Sequence, residues 1–392
     1  MKNLETLIQE LCPDGVEFVK LGDVCDILDS KRKPVAKGRR IKGEYPYYGA
    51  NGIQDYIDGY IFDGTYLLLG EDGSVINKDN SPVLNWATGK IWVNNHAHVL
   101  AERNDIALLR YLYYVLQTCD VSSIVRGMPP KLNQENLRNI EIPLPPIEVQ
   151  TEIVRILDKF TSLEAELEAE LDCRKRQYEY YRDKLLSFDN VGGQEVEWKK
   201  MSEVCKNICS GGTPLTSKAE YYDGHIPWLR TQEVDYCEIH STLRNITQLG
   251  LENSSAKMIP ANCVIVAMYG ATAAKVAINK IPLCTNQACC NLEIDEKQAL
   301  VRYVYQWICK QYEVLKAMGE GSQHNINAKK VKDFKIPIPS LEEQHRIVSI
   351  LDRFESLTTS LQSGLPAEIA ARRQQYEYYR DKLLTFKRKG AV

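Results

Sequence analysis

The chain has 392 residues, of which 44% are hydrophobic and 26% are charged, and its 49 basic and 52 acidic residues give a net charge of −3. This composition excludes disordered and collagen-like chains, and the slightly negative charge argues against polyanion binding by bulk charge alone. The longest apolar run, Cys263–Tyr269, is far shorter than the roughly 20 residues of a transmembrane helix, and Met1–Gly15 lacks the apolar block of a signal peptide. We therefore expect a cytoplasmic protein.

The first distinctive segment is Ser30–Lys42, which carries seven basic residues and no acidic one. Because Pro34 and Gly38 disfavour a helix, we expect a loop that offers its cations to phosphates, with a solvated flexible loop as the alternative. Aromatic and amide side chains follow in Tyr45–Gly52, where they are suited to base or sugar contacts or, alternatively, to packing in a core. The candidate DNA-binding residues of this region are Lys31, Arg32, Lys33, Arg39, Arg40, Lys42, Tyr47, Tyr48 and Asn51.

The rest of this first module predicts a helix over Asp105–Thr118 and a short strand over Ile140–Leu144. The loop Arg126–Lys131 lies between them and adds Lys131 to the candidate DNA contacts. His96 and His98 flank Ala97 without a carboxylate or thiolate at ligand spacing, so we interpret them as core or surface histidines rather than as metal ligands.

A long helix is predicted after the proline-rich turn that ends at Pro146. Apolar residues from Ile153 to Leu167 are spaced by three and four residues, and the spacing resumes from Tyr178 to Phe188. This heptad-like stripe is typical of a coiled-coil seam, although ordinary core helices would also produce it.

The second module differs from the first in its loops. It contains a Gly-Gly-Thr-Pro turn beginning at Gly211, an Ile-Pro-Trp segment beginning at Ile226, and a late loop at Gly321–Asn327. We predict a hairpin over Cys263–Ile278, a helix over Lys297–Met318, and a strand over Phe334–Ile338. The candidate DNA contacts here are Thr213, Lys218, Trp228, Arg230, Gln232, Ser322, Gln323, His324, Asn325, Lys329 and Lys330, which are mostly polar or basic loop residues able to contact base edges or phosphates.

The chain contains an internal duplication. Ile142–Leu163 returns as Ile336–Leu357 with 13 of 22 positions identical, and Gln177–Phe188 returns as Gln375–Phe386 with 11 of 12 identical. The second copy has four extra residues around Gly364-Leu365-Pro366, where we expect the helix to break. We therefore divide the chain into two divergent modules, 1–146 and 191–340, and two similar helical segments, 147–190 and 341–392. Pseudo-two-fold symmetry and complementary charge, −4 and +2, predict that the helices pair antiparallel.

Several kinds of chemistry have no motif in the sequence. A G-x-x-x-x-G-K-[ST] phosphate loop, a G-x-G-x-x-G turn and the Asn-Pro-Pro-aromatic motif of adenine methyltransferases are all missing. The twelve cysteines form no C-x-x-C pair, so we interpret them as free, buried thiols and expect no metal. We expect no catalysis by this chain alone.

The order of two variable modules and two near-identical helices resembles the DNA specificity subunit of type I restriction–modification systems. The resemblance covers essentially the whole chain, and its carriers are Ile142–Gln150, Ile336–Gln344, the doubled QYEYYRDKLL, Gly211–Pro214 and Ile226–Trp228. It implies an α+β fold with two pseudo-symmetric target-recognition domains, each a mixed sheet plus helices, separated by an antiparallel coiled-coil spacer of two conserved helices. Each domain would recognise one half of a split double-stranded DNA site. The Met128-Pro129-Pro130 loop differs from its counterpart in the second module, so contacts there need not carry over.

The resemblance also implies partners. Two methyltransferase subunits that bind S-adenosylmethionine and motor–nuclease subunits that use ATP and Mg²⁺ would assemble around this chain, which itself needs no cofactor. The sameness of the tyrosine-rich segments suggests that they dock the methyltransferases through Tyr178, Tyr181, Arg182, Tyr376, Tyr379 and Arg380, with packing between the helices as the alternative. The competing interpretations are a self-contained restriction enzyme or methyltransferase, the specificity subunit of a related fused methylase–nuclease system, and a protein-only coiled-coil adaptor.

Overall fold

The computed structural model describes residues 4–103, 106–188, 196–320, 325–360 and 363–390. The chain forms two compact units, of which unit 1 comprises Met1–Glu168 with Glu368–Val392 and unit 2 comprises Ala169–Ala367. Each unit therefore contains one divergent module together with parts of both repeated helical segments. The four-part division drawn from the repeats stays a prediction. Within the described residues, no helix is both long enough and apolar enough to cross a membrane.

Unit 1 is built on a six-stranded sheet in the order β2-β7-β5-β6-β3-β4, in which β3 and β6 pair parallel and the other neighbours pair antiparallel. A second, two-stranded sheet pairs β1 with β8. The strands are β1 (Glu17–Lys20), β2 (Cys25–Ile27), β3 (Lys42–Gly49), β4 (Gly52–Ile57), β5 (Phe62–Gly70), β6 (Leu84–Val93), β7 (Ala97–Glu102) and β8 (Glu141–Leu144).

The helices of unit 1 share a hydrophobic core with this sheet. They are α1 (Leu4–Leu11), α2 (Leu21–Val24), α3 (Leu109–Leu116), α4 (Gln134–Arg138), the first part of α5 (Ile147–Leu185) and most of α11 (Leu365–Leu384). Buried residues from β5, α3 and the start of α5 form one hydrophobic core. The side chain of Asn133 caps α4 by accepting a hydrogen bond from the amide of Asn136.

The end of the chain packs in unit 1 beside its beginning. The amide of Val16 donates to the carbonyl of Lys387 at 2.9 Å, and the amide of Lys389 donates to the carbonyl of Val16 at 2.9 Å. Gly15 has a φ of +92°, and a Cβ there would lie 2.3 Å from the carbonyl oxygen of Lys387. Glycine is therefore required at the turn where the two chain ends meet.

Unit 2 contains a five-stranded sheet in the order β10-β18-β15-β16-β12, a four-stranded sheet in the order β13-β11-β17-β14, and the pair β19-β9. The strands are β9 (Glu197–Lys200), β10 (Cys205–Ser210), β11 (Tyr222–Leu229), β12 (Glu238–Ile239), β13 (Asn245–Ile246), β14 (Met258–Ile259), β15 (Val264–Ala267), β16 (Val276–Asn279), β17 (Leu283–Thr285), β18 (Cys289–Ile294) and β19 (Lys335–Ile338). The helices are the second part of α5, α6 (Gln248–Glu252), α7 (Val301–Lys310), α8 (Tyr312–Ala317), α9 (Ala328–Asp333) and α10 (Leu341–Thr359).

The structure confirms most of the predicted elements. β15 and β16 form the predicted antiparallel hairpin, and the strands predicted before the two long helices are β8 and β19. α5 has 39 residues, which corresponds to about 58 Å of uninterrupted helix at 1.5 Å per residue. The second long segment is broken, as predicted, into α10 and α11 (Leu365–Leu384). The helix predicted over Lys297–Met318 is divided into α7 and α8.

Candidate nucleic-acid interface

The basic loop of unit 1 is tied to the sheet by its backbone. The amide of Lys33 donates to the carbonyl of Val93 at 3.2 Å, and the indole of Trp92 donates to the carbonyl of Lys33 at 2.6 Å. Two short 3-10 turns, Asp29–Lys31 and Lys37–Arg39, shape the segment. Four of the predicted phosphate-binding side chains are exposed on it: Lys31, Lys33, Arg39 and Lys42.

Two arginines of the same loop point inward instead. Arg32 donates to the Glu71 carboxylate at 2.6 Å and to the carbonyl of Ala97 at 2.8 Å. Arg40 lies 4.2 Å above the ring of Tyr47 and donates to Asp55 at 3.2 Å. Ion pairing and stacking therefore occupy both guanidinium groups, which corrects their assignment as free phosphate ligands. They hold the loop in place.

The aromatic segment after the loop is mostly core. Tyr47 and Tyr48 are buried in β3, and the hydroxyl of Tyr47 accepts a hydrogen bond from the amide of Val35 at 3.0 Å. Packing, the alternative interpretation of these tyrosines, therefore accounts for them. Asn51, at the turn between β3 and β4, is exposed and keeps its amide available.

A buried ionic cluster lies directly behind the basic loop. Its members are Asp29, Glu71 and His98, whose potential ligand atoms all lie within 4.8 Å of one another. Burial raises the pKa of Asp29, but a hydrogen bond and the charge of His98 outweigh that effect and hold the pKa below its usual value. Lys131 is exposed at the edge of this cluster, where its ammonium lies 3.2 Å from the Glu71 carboxylate.

The corresponding loops of unit 2 pack closely at two glycines. A Cβ on Gly211 would lie 2.0 Å from the carbonyl oxygen of Thr285, so the turn admits only glycine there. Trp228 is buried and its indole donates to the carbonyl of Gly212 at 3.0 Å, which corrects its assignment as a DNA contact. The hydroxyl of Thr213 donates to the side chain of Gln287.

Polar groups in these loops remain available. Gln232 is exposed, and so is Lys218, whose ammonium lies 3.5 Å from the carboxylate of Glu220. Arg230 is partly exposed, its nearest carboxylate is Glu233 at 3.9 Å, and its buried Nε has no hydrogen-bond partner. A buried guanidinium nitrogen without an acceptor is costly, so Arg230 is the strongest candidate of this unit for an external acceptor such as a phosphate or a base edge.

The late loop of unit 2 is described only in part. Ser322, Gln323 and His324 lie outside the described residues. The side-chain oxygen of Asn325 accepts a hydrogen bond from the amide of Gly270 at 3.4 Å. Lys330 donates to the carbonyl of Met318 at 2.6 Å and also pairs with Glu320, whereas Lys329 is exposed.

The tyrosine-rich segments make the same contacts in both units. In unit 2, Tyr178 donates to the side chain of Gln306 at 2.8 Å, and the ring of Tyr181 stacks on Phe354 with centroids 5.4 Å apart. In unit 1, Tyr376 donates to the side chain of Gln117 at 2.8 Å, and the ring of Tyr379 stacks on Phe160 with the same 5.4 Å separation. The four tyrosines therefore contribute to packing within their own units.

The neighbouring arginines lie across these tyrosines. Arg182 extends over the ring of Tyr178 and donates to Asp183, and Arg380 extends over Tyr376 and donates to Asp381. Tyr180 and Tyr378, which are not among the predicted site residues, occupy equivalent positions and are 60% and 62% exposed. The sequence contains a signal for them. The apolar stripe of each long helical segment passes through Tyr178 and Tyr181, or Tyr376 and Tyr379, so Tyr180 and Tyr378 fall outside the stripe and are expected to face solvent.

Comparison with known proteins places these features in context. The profile of the type I restriction modification DNA specificity domain matches residues 13–172 and 194–371. The chain is 36% identical to a putative type I restriction enzyme specificity subunit of Haemophilus influenzae, covering 98% of this chain and all of that protein. It is also 36% identical to the EcoR124I/EcoR124II specificity subunit of Escherichia coli, covering 100% of this chain and 99% of the relative. A crystal structure of the type I S subunit from M. genitalium has a similar fold, with a TM-score of 0.60, 16% identity, and coverage of 94% of this chain and 96% of that one.

Proposed function

Because the chain belongs to the type I restriction modification DNA specificity family, we propose that it is the DNA specificity subunit of a type I restriction–modification complex, in which it is not itself catalytic. Each divergent module recognises one half of a bipartite DNA site. The observation that carries this proposal is a set of framework contacts repeated in both units around loops of different chemistry.

The repeated framework is seen most clearly at the start of the long helices. The fully buried Gln150 accepts a hydrogen bond from the amide of Leu108, and the fully buried Gln344 accepts one from the amide of Leu300. The same correspondence holds for the ion pairs Arg110–Asp158 and Arg302–Asp352 and for the tyrosine hydroxyls of Tyr111 and Tyr303, which donate to the carbonyls of Pro143 and Pro337. Contacts of this kind join the long helix of each unit to the helix and strand that precede it, outside the candidate recognition loops.

The loops carried by this framework differ in charge and shape. Unit 1 presents the exposed cations of Ser30–Lys42, whereas unit 2 presents a closely packed glycine turn with Arg230 and Gln232 beside it. Exposed lysines and arginines bind phosphates through charge, and amide or guanidinium groups in loops can contact base edges. Two different loop sets on one framework are what two different half-sites require.

The long helices act as an antiparallel coiled-coil spacer between the modules. Within unit 1, Phe160 stacks on Tyr379 and Glu164 accepts a hydrogen bond from Arg373 at 2.8 Å, so later residues of α5 meet earlier residues of α11. Within unit 2, the stacking of Tyr181 on Phe354 is the equivalent contact between α5 and α10. These contacts support the opposite chain directions that the repeat predicts.

The methyltransferase subunits dock on surfaces that the repeat provides twice. Tyr180 and Tyr378 are exposed at matching positions, and shallow grooves in both units are lined by matching side chains, including Leu163 in unit 1 and Leu357 in unit 2. A partner that binds twice needs the same surface twice. S-adenosylmethionine, ATP and Mg²⁺ belong to the methyltransferase and motor–nuclease subunits, and this chain supplies DNA recognition and assembly.

Methylome sequencing of cells that express this chain with its methyltransferase partner tests the proposal. We expect one bipartite methylated motif, and exchange of residues 1–146 for the module of a relative should change one half only. If both halves changed, independent recognition would be wrong. Methyl transfer by the purified chain alone would favour a self-contained enzyme, and absence of a DNA gel shift would favour a protein-only adaptor.

A further inference from the structure

His98 is fully buried and has an oxygen acceptor at each ring nitrogen. Its Nδ1 lies 2.6 Å from a carboxylate oxygen of Asp29, and its Nε2 lies 2.8 Å from the carbonyl oxygen of Leu132. A neutral imidazole has one N–H and can donate to only one of these oxygens. Its other ring nitrogen would then place a lone pair against a lone pair of the second oxygen. Only an imidazolium, which carries an N–H at each ring nitrogen, donates to both oxygens.

The charges around His98 are all identified. Glu71 lies 3.8 Å from Nδ1, and Asp29 accepts further hydrogen bonds from the amide of Val99 at 3.0 Å and the side chain of Gln134 at 2.9 Å. Arg32 pairs with both carboxylates and Lys131 pairs with Glu71. N–H groups thus occupy the carboxylate oxygens that a metal ion would need, so this cluster is an ionic network of protein groups rather than a metal centre.

The network adds side-chain contacts between three loops of unit 1, two of which backbone hydrogen bonds also connect. Asp29 and Arg32 stand at the entrance of the basic loop. Glu71 follows β5, and its carbonyl accepts a hydrogen bond from the amide of Leu132 at 2.8 Å. Leu132 in turn ends the late loop of unit 1, immediately after Lys131. Through His98, the phosphate-binding loop and the late loop are therefore fixed relative to each other.

In unit 2, the positions equivalent to Asp29, Glu71 and His98 carry uncharged residues. His98 pairs across the sheet with Leu69, as Cys290 does with Val266, and the strand registers place Ser210, Met268 and Cys290 at the positions of Asp29, Glu71 and His98. Met268 and Cys290 are buried in the apolar core, and burial raises the pKa of Cys290 to about 12, so its thiol is neutral. The fold forms with uncharged residues at this place, so the ionic network of unit 1 serves something other than folding.

We propose that the His98 imidazolium is a positioning residue for DNA recognition, which couples the two DNA-facing loops of the first module to protonation and leaves the second module independent of it. This inference rests on the proposed function. Deprotonation removes one of the two N–H donors and the charge between Asp29 and Glu71, so the hold of His98 on the two loops weakens as the pH rises, while the backbone hydrogen bond from Leu132 to Glu71 remains. Recognition of the first half-site then weakens while recognition of the second half-site does not.

The charge of His98 is tested directly, without DNA, by ¹⁵N NMR of the chain with labelled histidines. The chain has six histidines, and His98→Gln identifies the signal. We expect both ring nitrogens of His98 to carry protons at neutral pH, with the nitrogen shifts of an imidazolium. A neutral tautomer at neutral pH would overturn the proposal while leaving the proposed function untouched.

The coupling to recognition is tested by hydroxyl-radical footprinting of the cognate DNA, half by half, on the wild-type chain from about pH 6 to about pH 9. Protection of the first half should fade as the pH rises while that of the second half persists. His98→Gln should weaken first-half binding about tenfold at low pH and abolish its pH dependence. The control is His96→Gln, which removes a half-exposed neighbour that pairs with Asp72 outside the network and should leave the pH profile intact.

Parallel pH profiles of the two halves in the wild-type chain would overturn the coupling, and this result needs no variant to fold. Retention of the wild-type pH profile in His98→Gln would overturn it as well. Loss of all DNA binding by the wild-type chain at every pH would instead contradict the proposed function, so the two failures are distinguishable.

Discussion

The buried glutamines at the start of the two long helices offer a prediction with an internal duplicate. Gln150 accepts a hydrogen bond from the amide of Leu108 at 3.0 Å and donates to the carbonyls of Ile106 at 3.2 Å and Pro145 at 2.8 Å. Gln344 makes the same three contacts in unit 2, at 2.9, 3.0 and 2.9 Å. We predict that Gln150→Met destabilises unit 1 and that Gln344→Met destabilises unit 2 by a similar amount.

The magnitude follows from the groups left behind. Methionine fills nearly the volume of glutamine but leaves one buried N–H and two carbonyls without their side-chain partner. An unsatisfied buried backbone group costs roughly 1–3 kcal/mol, and partial relaxation reduces the sum of three, so we expect a loss of about 3–6 kcal/mol in the free energy of unfolding. The amide of Leu108 precedes α3, so its loss of protection should also loosen the start of that helix.

Denaturant unfolding followed by hydrogen exchange measures the effect separately in each unit. Gln150→Met should increase exchange at Leu108 and lower the stability of unit 1 alone. Surface controls are Gln9→Met and Gln248→Met, which replace exposed glutamines and should change stability by less than about 0.5 kcal/mol. A loss below about 1 kcal/mol in both buried variants would refute the argument from unsatisfied backbone groups.

Three further predictions follow from the same structure. The first prediction concerns the exposed cations of the basic loop, Lys31, Lys33, Arg39 and Lys42. Their replacement with alanine should weaken DNA binding, and the slope of log binding constant against log salt concentration should fall by roughly 0.9 for each phosphate that is no longer bound. Binding titrations at several salt concentrations measure this slope. Inserting four residues in Leu167–Leu171 of α5 adds about 6 Å of helix. The stretch of DNA between the two half-sites should therefore become longer by about one to two base pairs, and methylome sequencing should show both half-site sequences unchanged. Because the pKa of Asp29 is lowered in the folded protein, its contribution to stability is present above the pKa of the unfolded state and is lost as the pH falls through the folded pKa. Asp29→Asn should therefore flatten the acid limb of the melting temperature plotted against pH, and an unchanged limb would argue against that carboxylate as its source.

The sequence by itself determined the order and type of the principal elements. The doubling of Ile142–Leu163 and the spacing of its apolar residues predicted two long helical segments, and the extra turn at Gly364-Leu365-Pro366 predicted the break between α10 and α11. These features are local, because helix periodicity and proline act over a few residues of the chain. The family resemblance rested on the same repeated segments.

The sequence could not determine which charged or aromatic side chains of a loop face outward. Lys31 and Arg32 are neighbours in one basic run, yet only Lys31 remains exposed, because Glu71 and the carbonyl of Ala97 lie within reach of Arg32. Those partners are 39 and 65 residues away in the chain. Strand pairing brings them together, and no local pattern records that distance.

The tertiary structure alone also decided the surroundings of His98. In the sequence it is one histidine beside Ala97, with no ligand at a useful spacing. In the fold, its two acceptors come from segments 69 residues before it and 34 residues after it, and both approach a side chain that has no access to water. The hydrogen bonds of a buried side chain are set by the groups that surround it in space, and for His98 those groups meet only once the sheet has formed.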